Sequence, residues 1–157
     1  MNLITILAAI VIILTFVLPN MLPAQSDPFL GTWKLNPAKC RFTAGAAPKE
    51  ETFTVELIGD QDQMTGKGTA ADGSAITLKY QVPAKGGAGK VLAGPFDGIS
   101  AKMINAHMME TSYIKGGKEV RTTQTVISKD GKIMKATIKG TDAQGKLASG
   151  VLVFEKQ

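Results

Sequence analysis

From about residue 50 onward the chain alternates between apolar and polar positions. Phe53, Val55 and Leu57 fall on one face of residues 51–58, with Thr52, Thr54 and Glu56 on the other. A period of two predicts a half-buried strand. The same rhythm places Ile76, Leu78, Tyr80 and Val82 together along residues 75–82, and Met134, Ala136 and Ile138 together along residues 132–140. Residues 63–70 form a weaker strand, with Gly66 and Gly68 where one face loses bulk. Further strands are predicted at 90–93, 99–104, 106–114, 118–128 and 147–155. Turn chemistry separates them: Asn36-Pro37, Gly59-Asp60, Asp72-Gly73, Gly116-Gly117, Asp130-Gly131 and Gly145. Residues 37–49 and the glycine-rich residues 84–89 read as loops. Past the first 26 residues no segment carries a helical period. Roughly nine or ten short strands joined by tight turns point to an all-β sandwich or barrel.

The first strand is Phe29-Leu30-Gly31-Thr32-Trp33-Lys34-Leu35-Asn36. Gly31 lets the backbone approach a large neighbour, and Trp33, the only tryptophan, brings a large apolar body whose N–H needs a partner. Phe-x-Gly-Thr-Trp-Lys-Leu resembles the opening strand of the lipocalin and fatty-acid-binding-protein group, the calycins. Val153-Phe154-Glu155-Lys156 is similar to the Tyr-Glu-Lys ending of the fatty-acid-binding proteins. The chain also looks like small exported bacterial lipocalin-like proteins. The resemblance is specific at the two ends and is one of strand rhythm between them. It implies a single antiparallel up-and-down β-barrel, with Gly31 and Trp33 in structural roles. Residues 37–49 are too short for the two helices that lid a fatty-acid-binding barrel. The Arg-x-Tyr pair that grips a carboxylate in that family aligns with Leu152 and Phe154, so a fatty-acid anion is not the first expectation; a neutral or weakly polar apolar molecule fits better. Arg121 lies in an earlier strand, and its facing is open.

Residues 3–18 are apolar apart from Thr5 and Thr15, and Pro19, Asn20 and Pro23 break the run. Ala24-Gln25-Ser26 offers a small-x-small cleavage site, so residues 1–26 read as a secretory signal peptide. The alternative is a retained membrane anchor, although the run is short of the ~20 residues a spanning helix needs. Cleavage leaves residues 27–157 as one barrel domain, secreted or periplasmic and expected to be a monomer. All charged residues lie in that part, which carries a net charge of +5. The lysines are dispersed, without a basic run interleaved with aromatics, and this is not a nucleic-acid footprint.

Chemistry is sparsely marked. One His and one Cys do not make a zinc set, and neither a metal nor a cofactor is expected. Gly86-Gly87-Ala88-Gly89 lacks the Gly-Lys-Ser/Thr ending of a phosphate loop. Cys40 reads as a small residue at a loop start, or as a thiol sharpened by Lys39 and Arg41. His107 is the single candidate general base, but no serine carries a nucleophile signature, so a strand or turn histidine is the plainer reading and no catalytic residue is assigned. The barrel interior is the candidate site. Alternation nominates Phe53, Val55, Leu57, Ile76, Leu78, Tyr80, Met134, Ile138, Leu152 and Phe154 as its lining. Met109 and Tyr113 share a face with His107 and join them. The expectation is a protein that binds a small hydrophobic molecule in the barrel; the alternative is a ligand-free envelope module acting through its basic exterior.

Overall fold

The computed structural model describes residues 27–142 and 144–157; the leader expected at residues 1–26 lies outside them. Twelve strands form one antiparallel sheet: β1 Gly31–Leu35, β2 Arg41–Ala44, β3 Glu50–Ile58, β4 Gln61–Thr69, β5 Ala75–Pro83, β6 Gly87–Ala88, β7 Lys90–Ala93, β8 Gly98–Asn105, β9 Met108–Lys115, β10 Lys118–Ile127, β11 Ile133–Thr141 and β12 Leu147–Lys156. Neighbours run β6-β8-β9-β10-β11-β12-β1-β3-β4-β5-β7. The chain therefore climbs and descends around a nearly closed barrel. Two strands exceed the expected number. Residues 41–44, read as loop, pair with Val151–Ser149 of β12 as β2. Gly87-Ala88, read as glycine loop, pair with Ala101 and Ser100 as β6. Among the described residues the helical content is one 3₁₀ turn, Pro37–Lys39, so no helical lid covers the barrel from this loop.

The barrel closes at two seams of different construction. At one, β1 pairs with the end of β12 and with β3, so that Trp33 lies between Lys156 and Phe53. Trp33 is fully buried, and its Nε1–H donates to the Phe29 carbonyl at 2.9 Å. That bond satisfies the one polar group of the ring where water is absent. Gly31 has φ +119°, and a Cβ there would come within 2.8 Å of Lys156 Cε.

At the other seam the ends of the strand order, β6 and β7, are consecutive in the chain and meet at Gly89. β6 pairs with β8, whereas β7 pairs with β5. Gly89 N–H donates to Ile99 O at 2.9 Å. A Cβ on Gly89 would collide with Gln81 O and approach Val82 Cγ1 to 2.6 Å and Ile99 Cγ2 to 3.0 Å. One strand thus changes partners at a residue that must be glycine, and the barrel edges are joined through the chain itself.

Inside, two apolar clusters pack. One gathers Phe29, Trp33, Leu35, Phe53, Ile127, Met134, Ile138, Leu152 and Phe154, with Cys40 at its edge. The other gathers Leu78, Tyr80, Val82, Phe96, Ile99, Ala101 and Tyr113. Met64 and Met109 touch both, filling the join with adaptable side chains.

Candidate functional site: the barrel interior

A cavity of about 70 Å³ runs between the two clusters. That is room for a few water molecules. Nine of the twelve nominated residues border it: Phe53, Val55, Tyr80, Met109, Tyr113, Met134, Ile138, Leu152 and Phe154. Strand parity is what carries these side chains inward. Phe53 and Phe154 meet edge to face at 4.8 Å, and Tyr80 and Tyr113 do so at 6.2 Å, the arrangement that ring quadrupoles favour.

Three nominated residues do not reach the cavity. Leu78 is buried in the second cluster but packs against its wall. Ile76 is half-buried near the start of β5, opposite Gly68, beyond the cavity. Leu57 is 54% exposed. It keeps the parity of Phe53 and Val55 and stands opposite Asp62 of β4, two residues before Gly59, but is turned largely to solvent.

The cavity also carries charge that the alternation of apolar residues did not announce. Asp62 sits on β4 between Leu57 of β3 and Val82 of β5. It is 8% exposed, and its Oδ1 has no hydrogen-bond partner. Burial pushes its carboxyl up to about 6, and the nearby carboxylate of Asp27 adds to the push. Glu51 enters from β3, opposite Gly68. Burial raises its carboxyl above the usual range, and the Arg121 guanidinium partly opposes that shift. Arg121 comes from β10. Its Cζ lies 4.6 Å from the Tyr113 ring centroid and 5.8 Å from that of Phe96, and its Nε donates a long bond to Thr123 Oγ1 at 3.4 Å. Thr111, Thr123 and Thr125 add hydroxyls to the lining. Tyr80 is fully enclosed; burial, then Tyr113 beside it, holds its phenol well above the usual value.

A local irregularity sets the aim of Arg121. The β10–β9 register slips between Glu119 and Arg121, leaving Val120 as the extra residue of a β-bulge. Opposite it on β11 stands Gly140, at φ +133°, where a Cβ would strike Val120 O and approach Arg121 Cα to 2.6 Å. The bulge lets both Val120 and Arg121 contribute to the interior. Gly140 was the visible signal of that crowding. Glu51 was legible more directly, since it shares the parity of Phe53.

A second, open cleft of about 330 Å³ lies where β1 ends and β3 begins, between Lys34, Leu35, Thr52 and Lys67. Glu51 borders both this cleft and the interior cavity. The charges here do not cancel in a direct pair: among the described residues the ion pair within 4.0 Å is Lys39–Glu155, at 2.7 Å on the surface.

His107 lies in the hairpin between β8 and β9, away from the cavity lining. Its N–H donates to Asn105 Oδ1 at 2.9 Å, and its carbonyl accepts from Ile127 N–H at 2.9 Å. Cys40 is buried. Its Sγ donates to Asn36 O at 3.4 Å and accepts from Val153 N–H at 3.5 Å. The structure therefore gives Cys40 a packing role in the first cluster. Among the described residues no group of three metal-ligating side chains converges.

No family model and no curated protein matches the sequence. Among solved structures the chain is similar to apocrustacyanin C1 at 13% identity and a TM-score of 0.40, over 87% of this chain and 64% of that one. It is also similar to lobster apocrustacyanin A1 at 14% identity and a TM-score of 0.39, over 85% and 63%. The chain thus spans somewhat less than two thirds of the length of either structure.

Proposed function

We propose that this is an exported binding protein that holds one small, mostly apolar molecule inside its barrel. The observation that carries the reading is the cavity between the two clusters: apolar walls interrupted by Glu51, Asp62 and Arg121. Binding sites combine an apolar surround with a few placed polar groups. A barrel that served only as a scaffold would gain by replacing such groups with hydrocarbon, because an unpaired buried carboxylate is destabilising. The apolar leader at residues 3–18 and its small-x-small end support export. The volume favours a slender ligand over a bulky one.

The test is extraction. Protein purified without denaturant is unfolded, and the released small molecules are identified by mass spectrometry. A stoichiometric apolar compound is expected. A clean extract, together with failure of a broad lipid panel to bind saturably, overturns the reading.

The narrowness of the cavity favours one second reading, a ligand-free module that meets anionic surfaces. Lys67, Lys90, Lys102, Lys135 and Lys139 are all exposed, on a chain of net charge +5. Its binding would weaken steeply with ionic strength.

A further inference from the structure

We propose that Asp62 is the recognition group of the cavity, and that the ligand presents to it a protonated amine on a slender apolar body. This rests on the interior-binding reading and names its ligand class. Three observations meet at Asp62. Its side chain borders the cavity and is 92% withdrawn from solvent. Its Oδ1 has no partner within the protein. Its cross-strand neighbours, Leu57 and Val82, offer no hydrogen-bonding side chain.

A buried acceptor in this state lacks a donor, and the cavity is where a donor would arrive. The other titratable groups lining the space are Glu51 from β3, Tyr80 from β5, Tyr113 from β9 and Arg121 from β10, and Asp27, from the segment before β1, acts on Asp62 as a nearby like charge. Arg121 is drawn toward Tyr113, Phe96 and Glu51. The groups biasing Asp62 are burial and the like charge of Asp27, and both favour a cation beside it. An ammonium donates to the orphan oxygen and supplies the counter-charge that the protein withholds. The carboxyl, pushed up to about 6, is ionised at pH 7.5 and neutral at pH 4.5, whereas an alkylammonium stays charged throughout. Amine recognition is therefore strong at the higher pH and fades at the lower.

The experiment titrates the full mature chain with n-hexylamine and with hexan-1-ol, following Trp33 fluorescence and amide shifts, at pH 7.5 and pH 4.5. Hexylamine should bind at least tenfold more tightly than hexanol at pH 7.5 and lose that preference at pH 4.5. In Asp62→Asn the preference for hexylamine over hexanol should vanish; a thermal melt of the variant checks that it is folded. Equal affinities for the two compounds, or a preference that survives in Asp62→Asn, overturn the assignment while leaving interior binding in place. If neither compound binds saturably in the barrel, both the assignment and the interior-binding reading fail.

Discussion

Phe53 and Tyr113 look into the same cavity from different walls, but their neighbourhoods are unlike. Around Phe53 the packing is hydrocarbon: Trp33, Leu35, Phe154, Ile138 and Leu152, with the one indole N–H tied to Phe29. Around Tyr113 the rings of Tyr80 and Phe96 are joined by the Arg121 guanidinium, and the strand carrying that guanidinium needs a bulge and a facing glycine to deliver it. The first region is built as a core is built. The second carries irregularities that weaken a sheet locally, and these are where function tends to reside. The two seams repeat the contrast: Trp33 closes one by packing, and Gly89 closes the other by connectivity.

The strongest way to break the comparison is to remove the packed side. Trp33→Ala deletes the one fully buried large side chain among the described residues and severs its bond to Phe29. Truncations of this kind lose about 3–5 kcal/mol. Denaturant unfolding should show a loss of that order. A loss below about 1 kcal/mol would mean that the first region is as loosely built as the second. At the opposite seam, Gly89→Val would put a Cβ against Gln81 O, with 2.6 Å to Val82 Cγ1. Overpacking of this kind costs about 1–3 kcal/mol. The amides of β6 and β7 should exchange faster while those near Trp33 keep their protection. Uniform loss of protection would show that the seams are not independent.

Asp62 sharpens the comparison in the other direction, because removing its charge should stabilise the fold. Its folded-state carboxyl sits at about 6 against an ordinary 3.8, so the folded protein holds a proton that the unfolded chain has released. Stability from this group is complete below pH 4 and is lost as pH rises through 6. Asp62→Asn removes that loss. The variant should gain up to about 3 kcal/mol at pH 7.5 and almost nothing at pH 4. Glu51, raised in the same direction, leaves a residual slope of the same sign in the variant. Denaturant midpoints across pH 4–8 read both effects, and a gain that does not depend on pH would exclude the charge as its origin.

Much of the first region was legible from sequence and less of the second, for reasons that lie in particular residues. Phe53, Met134, Leu152 and Phe154 sit on strands where apolar residues recur every second position, so period two identifies them, and Trp33 is marked by the Gly-Thr-Trp stretch that opens the barrel. Glu51 obeys the same period but is passed over when only apolar positions are counted. Arg121 could not be placed by counting, because the bulge at Val120 resets the parity of β10. Asp62 reads as the last residue of a Gly59-Asp60-Gln61-Asp62 turn, whereas the structure starts β4 at Gln61 and so places Asp62 on the strand. The strand at Arg41–Ala44 escaped because Pro37, Gly45 and Pro48 enclose it within what reads as loop. β6 escaped because Gly87-Ala88, two small residues, carries no side-chain pattern. The signal that remains for such places is the glycine itself: Gly140 within β11 and Gly89 between β6 and β7 each mark a point where backbone comes too close for a Cβ.

Leu57 gives the smallest expected effect and tests where the interior ends. It shares the parity of Phe53 and Val55, yet it is 54% exposed, beside Ile58 at 47%. If the barrel wall stops at Val55, then Leu57→Ser removes little buried surface, and stability should move by no more than about 0.5 kcal/mol. The same change at Val55, which borders the cavity, should lose clearly more, since it strips apolar area from a shielded position and adds a hydroxyl without an evident partner. Leu57 lies opposite Asp62 in the ladder, so the pair of variants also asks how well that carboxyl is screened. Should Leu57→Ser restore Asp62 toward its ordinary titration, observed by carboxyl carbon chemical shifts against pH, the leucine would be the cover over that end of the cavity. An unchanged titration would leave β4, β5 and the Asp27 segment as the groups that bury it.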